Sequence, residues 1–153
     1  MLKSPEKRLY LEDIFIGQRF TSAPHLMDEK QIRQFASEYD PQPFHLSEEA
    51  AAESIFGSLA ASGWHTMAIT MRLLVESLPI AGGVIGAGAE VNWPRPTRPG
   101  MELQVFSEFI DIKPSQSKPD RAIVTMRCET RDQDGEVLQI LLGKLVVFRR
   151  PTE

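Results

Sequence analysis

Between Gly63 and Leu78 the chain carries Trp64, Met67, Ala68, Ile69, Met71, Leu73, Leu74, Val75 and Leu78. On a helix these side chains cover most of the circumference, and a helix without a wide polar face has to be enclosed by something else. Pro79 and Gly82-Gly83 end it, and everything beyond reads as extended. The pattern predicts strands over about residues 84 to 93, 101 to 113, 121 to 132 and 136 to 149. Asp134-Gly135 supplies the turn that makes the last two an antiparallel hairpin. In the final strand Val137, Leu141, Leu145 and Val147 fall on one face, and Leu138, Ile140, Leu142, Val146 and Phe148 on the other, so both faces need cover. One antiparallel sheet wrapped around one buried helix meets these demands, which is an α+β architecture. Two-sided strands and an exposed sheet edge predict a homodimer or higher homo-oligomer, with two sheets paired edge to edge.

Ahead of the long helix the signals are shorter. Ile14, Phe15, Ile16 and Phe20 around Gly17 suggest an extended segment over residues 13 to 22. Asp28, with Gln31 three positions on, reads as an N-cap for a helix over residues 29 to 38, because Ile32, Phe35, Ala36 and Tyr39 follow at helical spacing. Ser47 before Glu48 and Glu49 reads as a second N-cap, starting a short helix that stops near Gly57.

At 153 residues the chain is expected to form one domain over residues 1 to 153, with core enough to need no disulfide or metal staple. No stretch approaches the ~18 apolar residues that span a bilayer, so no membrane partner is expected. The charged start from Met1 to Arg8 lacks a following apolar segment, so no secretory signal is expected and the location is read as cytoplasmic. A net charge of −4 argues against nucleic acid as partner. Cys128, the single cysteine, lies in an apolar strand and reads as core filler. His25, His45 and His65 show no metal-ligand spacing, and a hydrogen-bonded helix position is expected for His65. Gly83, Gly86 and Gly88 precede a strand rather than a helix, so they read as bulge or close-packing glycines and not as a dinucleotide loop.

The candidate chemistry lies in Asp40-Pro41-Gln42-Pro43-Phe44-His45. Each proline fixes its own φ and pushes the residue before it out of the helical region, so Asp40 and Gln42 are expected to be extended, on a loop too stiff to become helix. A carboxylate and an imidazole presented from such a loop can share one water molecule and activate it. The same residues could equally form a mere turn into the next helix, with His45 a half-buried spacer.

This stretch, the following Leu46-Ser47-Glu48-Glu49-Ala50-Ala51, the opening Ala61-Ser62-Gly63-Trp64-His65 of the long helix, and Arg98-Pro99-Gly100 before a strand together resemble the MaoC-like dehydratases. That family includes the (R)-specific enoyl-CoA hydratases and has the hotdog fold, an antiparallel β-sheet wrapped around a long central α-helix. Gln42 stands where many hydratases have Asn, and Met101 where Asp is common. The resemblance implies that Asp40 and His45 form the catalytic pair and that the backbone N–H of Gly63 takes the thioester oxygen. Physical chemistry agrees about Gly63, since a helix start offers unpaired N–H groups and partial positive charge to an oxygen gaining negative charge. Pro43, Phe44, Ser62 and Trp64 are the expected substrate-binding residues, with Trp93 a further aromatic that could line an acyl pocket. The implied reaction adds water reversibly to a trans-2-enoyl-CoA, giving an (R)-3-hydroxyacyl-CoA. No metal and no cofactor are implied beyond the coenzyme A of the substrate. Arg95, Arg98, Lys113, Lys118 and Arg121 are the cations available to its phosphates, although any one of them reads more simply as solvated surface.

Two other functions are weighed against hydration. Hotdog thioesterases often carry an acid on the central helix, and residues 63 to 75 contain none. A non-catalytic acyl-thioester binder would hold the same ligand without turnover.

Overall fold

The computed structural model of the protein describes residues 7–152, so the reading of the start from Met1 to Glu6 lies outside the described residues. A 3-10 turn, Leu11–Asp13, leads into strand β1 (Arg19–Thr21), the short β2 (His25–Leu26) and helix α1 (Glu29–Tyr39). Two short helical pieces follow, α2 (Pro43–Leu46) and α3 (Glu48–Ala52), then the long helix α4 (Gly63–Ser77). The rest is sheet: β3 (Ile85–Asn92), β4 (Glu102–Pro114), β5 (Arg121–Arg131) and β6 (Val137–Phe148). The strands run in the order β1-β4-β5-β6-β3, with β2 also beside β4, and every pairing is antiparallel.

Alternation in the sequence becomes alternation in burial. Along β5, Ala122, Val124, Met126, Cys128 and Thr130 point inward and are buried, while their neighbours are half-buried. The first four of these side chains meet Val105, Phe109, Leu141, Leu145 and Val147 of the adjoining strands and Leu73, Leu74 and Leu78 at the end of α4. Burying each of those leucines contributes about 2 kcal/mol. Sheet and helix thus form the hotdog arrangement. A second apolar cluster, Met27, Ile32, Leu59, Ala61, Leu103 and Leu138, lies where α1 and the segment before α4 meet the sheet. No helix among the described residues is long and apolar enough to cross a membrane.

Several expectations are corrected here. Only Arg19–Thr21 of the early extended segment is strand. The second short helix ends at Ala52, and the chain continues through turns to Gly57, whose φ of 71° stops any helix. Leu138 does not share the outer face with Ile140 and Leu142. A bulge pairs Thr130 with Gln139 but Arg131 with Val137, which turns Leu138 inward. The face of α4 carrying Trp64, Ala68, Arg72 and Val75 is exposed, because the sheet covers only the opposite side of the helix. Gly86 and Gly88 flank the register shift between β3 and β6, yet open space surrounds both, so they serve the bulge and not close packing.

The helix starts behave as their cap residues require. Asp28 accepts a hydrogen bond from the Gln31 N–H at 2.8 Å. The Gln31 side chain does not close the capping box; it donates to the Leu26 carbonyl and meets His25 Nε2. Ser62 caps α4 by accepting from the Trp64 N–H at 3.2 Å.

Candidate active site

Asp40 is the C-cap of α1 and Gln42 is the extended residue before Pro43, with φ −99° and ψ 145°. The chain then does turn helical, contrary to the stiff extended loop expected. Proline is favoured at the first helical position, where its missing N–H costs nothing, so Pro43 starts a single helical turn that carries His45. That turn swings His45 back so that its Nε2 lies 3.3 Å from Asp40 Oδ2.

The other face of the imidazole is tied to the main chain. His45 Nδ1 lies 2.6 Å from the Ala60 carbonyl, which can only accept, so Nδ1 donates there and Nε2 is the nitrogen left facing Asp40. The Ala60 N–H in turn donates to the Phe44 carbonyl at 3.3 Å. His45 is buried, as is Ala60. Burial alone would raise the Asp40 carboxyl. Hydrogen bonding from Ser62 and Gln42, together with the field of His45, outweighs burial and holds it below the usual carboxylate range. The Gln42 amide donates to Asp40 Oδ1 at 2.5 Å, so Gln42 orients the acid it accompanies.

Three residues after Ala60, α4 begins. The Gly63 N–H has no acceptor among the described residues, as the first turn of a helix dictates. It opens on a cleft of about 380 Å³ that Asp40, Gln42 and His45 line on one side and residues 93 to 97 on the other. Phe44, Trp64 and Trp93 line it too. Pro43 does not line the cleft, being spent on starting the helical turn, and Ser62 is fully buried beneath it as the cap of α4 and a partner of Asp40. The cleft therefore holds a converging acid and imidazole, an unpaired helix-start N–H and apolar walls, which is what activating a water against a polarised acyl group needs.

Sequence reasoning missed the Ala60 carbonyl, for which any residue type would serve, and Phe56, which also lines the cleft. It missed Gln139 as well, a buried amide that accepts from the indole N–H of the cleft-lining Trp93, although a lone amide between Leu138 and Ile140 in an apolar strand is a visible signal.

The MaoC like domain model matches residues 14–129 of this chain. The chain belongs to the MaoC-like dehydratase family. A crystal structure of a MaoC-like dehydratase from Rhodospirillum rubrum superposes on this MaoC-like protein with a TM-score of 0.92 at 60% identity, covering 94% of this chain and 99% of the other. The uncharacterized protein YdeM of Bacillus subtilis is 32% identical, over 90% of this chain and 96% of its own length. A 3-hydroxybutyryl-CoA dehydratase of Methylorubrum extorquens is 30% identical, over 88% of this chain and 85% of its own.

Arg98 is neither surface nor a free cation. Its guanidinium donates to the Phe56 carbonyl at 2.5 Å and the Ser58 carbonyl at 2.7 Å, pinning the segment that leads into Gly63 of this MaoC-like protein. Arg121 pairs with Asp120, whereas Arg95 pairs with Glu136 at the cleft wall. Arg98→Met is expected to lower unfolding free energy by about 2 kcal/mol, since charged-donor hydrogen bonds are lost and carbonyls are left bare. Denaturant unfolding of variant and parent checks this; an unchanged midpoint would show that the pinning contributes nothing.

His65 corrects another expectation, because its Nδ1 is buried with no partner among the described residues. The ring stacks on Phe35 with centroids 4.6 Å apart, and burial, aided by His25 and opposed by Asp28, pushes its pKa down to about 4. The folded ring stays neutral where the unfolded one takes a proton. Stability is thus complete above about pH 6.5 and falls as pH drops toward 4, by roughly 3 kcal/mol in all. His65→Phe, which keeps the stack, is expected to gain stability over the parent at pH 4.5 but little at pH 7.5. Unfolding curves at the two pH values test this, and an equal difference at both would refute it. Burial likewise pushes the Cys128 thiol up to about 12, which makes it inert as a nucleophile.

Proposed function

We propose that the protein is a hydro-lyase that adds water reversibly to a trans-2-enoyl-CoA to give an (R)-3-hydroxyacyl-CoA. One observation carries this reading: Asp40 Oδ2 and His45 Nε2 converge at 3.3 Å on a cleft that also receives the unpaired Gly63 N–H. The thioester oxygen accepts from Gly63, where the start of α4 favours developing negative charge. A water held against both Asp40 and His45 gives up a proton to the pair while its oxygen bonds to C3. The electrons of the C2–C3 double bond move to the thioester as an enolate. Collapse of the enolate returns a proton from the pair to C2 on the same face, so nothing is consumed but water.

The 3-hydroxybutyryl-CoA dehydratase relative supports this substrate class, and the absence of Asp or Glu from residues 63 to 75 tells against thioester cleavage. The exposed edge strand β3 supports a homodimer in which a second copy continues the sheet.

Mixing the protein with crotonyl-CoA tests the reaction. Loss of the enoyl-thioester absorbance without release of thiol is the expected result. Thiol release would make the protein a thioesterase, and tight binding with neither change would make it a binder.

A further inference from the structure

Beside the Gly63 N–H the space is already occupied. A Cβ placed on Gly63 would lie 2.7 Å from Trp93 Cε2 and 2.9 Å from Cδ2 and Cζ2, so the indole rests on the glycine that is proposed to hold the thioester oxygen. The ring does not rest there passively. Its Nε1–H donates to Gln139 Oε1 at 2.9 Å, and Gln139 is completely buried in β6. The Gln139 amide is itself anchored, its Nε2 donating at 3.0 Å to Thr70 Oγ1, whose own hydrogen goes to the Thr66 carbonyl at 2.8 Å. An indole N–H can only donate, so Oε1 has to face the tryptophan and the amide has one orientation. Burying an amide in an apolar strand costs free energy unless each polar atom is satisfied, and here the indole satisfies one end.

Resting on the enoyl-thioester reading, we propose that Trp93 is the specificity-determining wall of the cleft, selecting acyl groups unbranched at C2, and that Gln139 is the positioning residue that holds the indole in place. With its oxygen on the Gly63 N–H, a thioester carries its carbonyl carbon one bond away and C2 one bond further. A substituent on C2 directed toward α4 then meets the ring that already excludes a methyl from Gly63. A linear enoyl group carries no such substituent and avoids that conflict.

Calorimetric titration with butyryl-CoA and isobutyryl-CoA, saturated thioesters that differ only in branching at C2, tests the wall without turnover. The parent protein is expected to prefer butyryl-CoA by about tenfold or more, as steric pockets discriminate a misplaced methyl. Trp93→Ala, or Trp93→Leu if the alanine variant does not fold, is expected to bring the ratio close to one. Gln139→Leu is expected to lower the ratio in the parent but not in a Trp93→Phe background, where no indole N–H remains to position. The ratio of crotonyl-CoA to 2-methylcrotonyl-CoA hydration should follow the same order. An unchanged binding ratio in the Trp93 variants, or no preference in the parent, would overturn the wall. An equal effect of Gln139→Leu in both backgrounds would reduce Gln139 to a structural residue. If the binding preference responds to Trp93 while crotonyl-CoA is not hydrated, hydration fails and the wall stands; hydration with an unresponsive ratio gives the reverse.

Discussion

Asp40→Asn and His45→Ala are each expected to lower enoyl-thioester hydration by at least about two orders of magnitude, the usual weight of a positioned acid or base. Asn at 40 keeps the shape and the bond from the Gln42 amide but removes the negative charge proposed to share the water with His45. Alanine at 45 removes the imidazole and strips the Ala60 carbonyl of its partner, which costs about 1–3 kcal/mol of stability as well. Activity has therefore to be read below the melting transition, with circular dichroism confirming that each variant is folded. Losses of only a few-fold in both folded variants would make Asp40 and His45 a structural turn.

The second large effect is expected at Gly63. Gly63→Ala keeps the N–H, so a simple donor model predicts almost no change, and alanine even favours the helix by a few tenths to about 1 kcal/mol. The added methyl, however, meets the Trp93 ring at 2.7 Å, and that ring is tethered through Gln139. Either the indole or the start of α4 shifts, at a cost of about 1–3 kcal/mol in stability. A displacement approaching 1 Å at the N–H proposed to bind the thioester oxygen is expected to lower kcat/KM by about 100-fold. Combining Gly63→Ala with Trp93→Leu is expected to restore much of both losses, because the obstruction is gone and the N–H was never removed. Steady-state kinetics and denaturation of the single and double variants check this, and a double variant no better than Gly63→Ala alone would place the damage elsewhere.

The parts of this fold that were legible in sequence are those repeated along the chain. Alternation over β5 and β6 locates both strands to within about two residues, since half of every strand has to face the core. Asp28 and Ser47 act as caps where their spacing placed them. Single departures from period were not legible: the bulge that turns Leu138 inward depends on how β5 and β6 register, which one strand alone does not reveal. Pro43 was misread because proline both stiffens a loop and starts a helix, and only the tertiary position of His45 decides between these. At the site, side chains were visible and main-chain partners were not. The Asp40 and His45 types announce chemistry, whereas the carbonyl of Ala60 looks like every other, and Trp93 and Gln139 lie 46 residues apart with nothing local to connect them.

The tie between His45 and Ala60 has a bearing on how proteins built this way diversify. Ala60 grips the imidazole through its carbonyl, and Gly63, three residues along, presents the N–H proposed to take the thioester oxygen. The spacing between the anchor of the imidazole and the helix-start N–H is thus set by backbone. Cleft-lining residues such as Phe56, which touch neither of these backbone groups, can change while that spacing stays as it was. On the proposed reading, the anchor of the chemistry lies in main-chain groups that a change of side chain does not remove, so selection can edit the cleft lining without erasing that anchor.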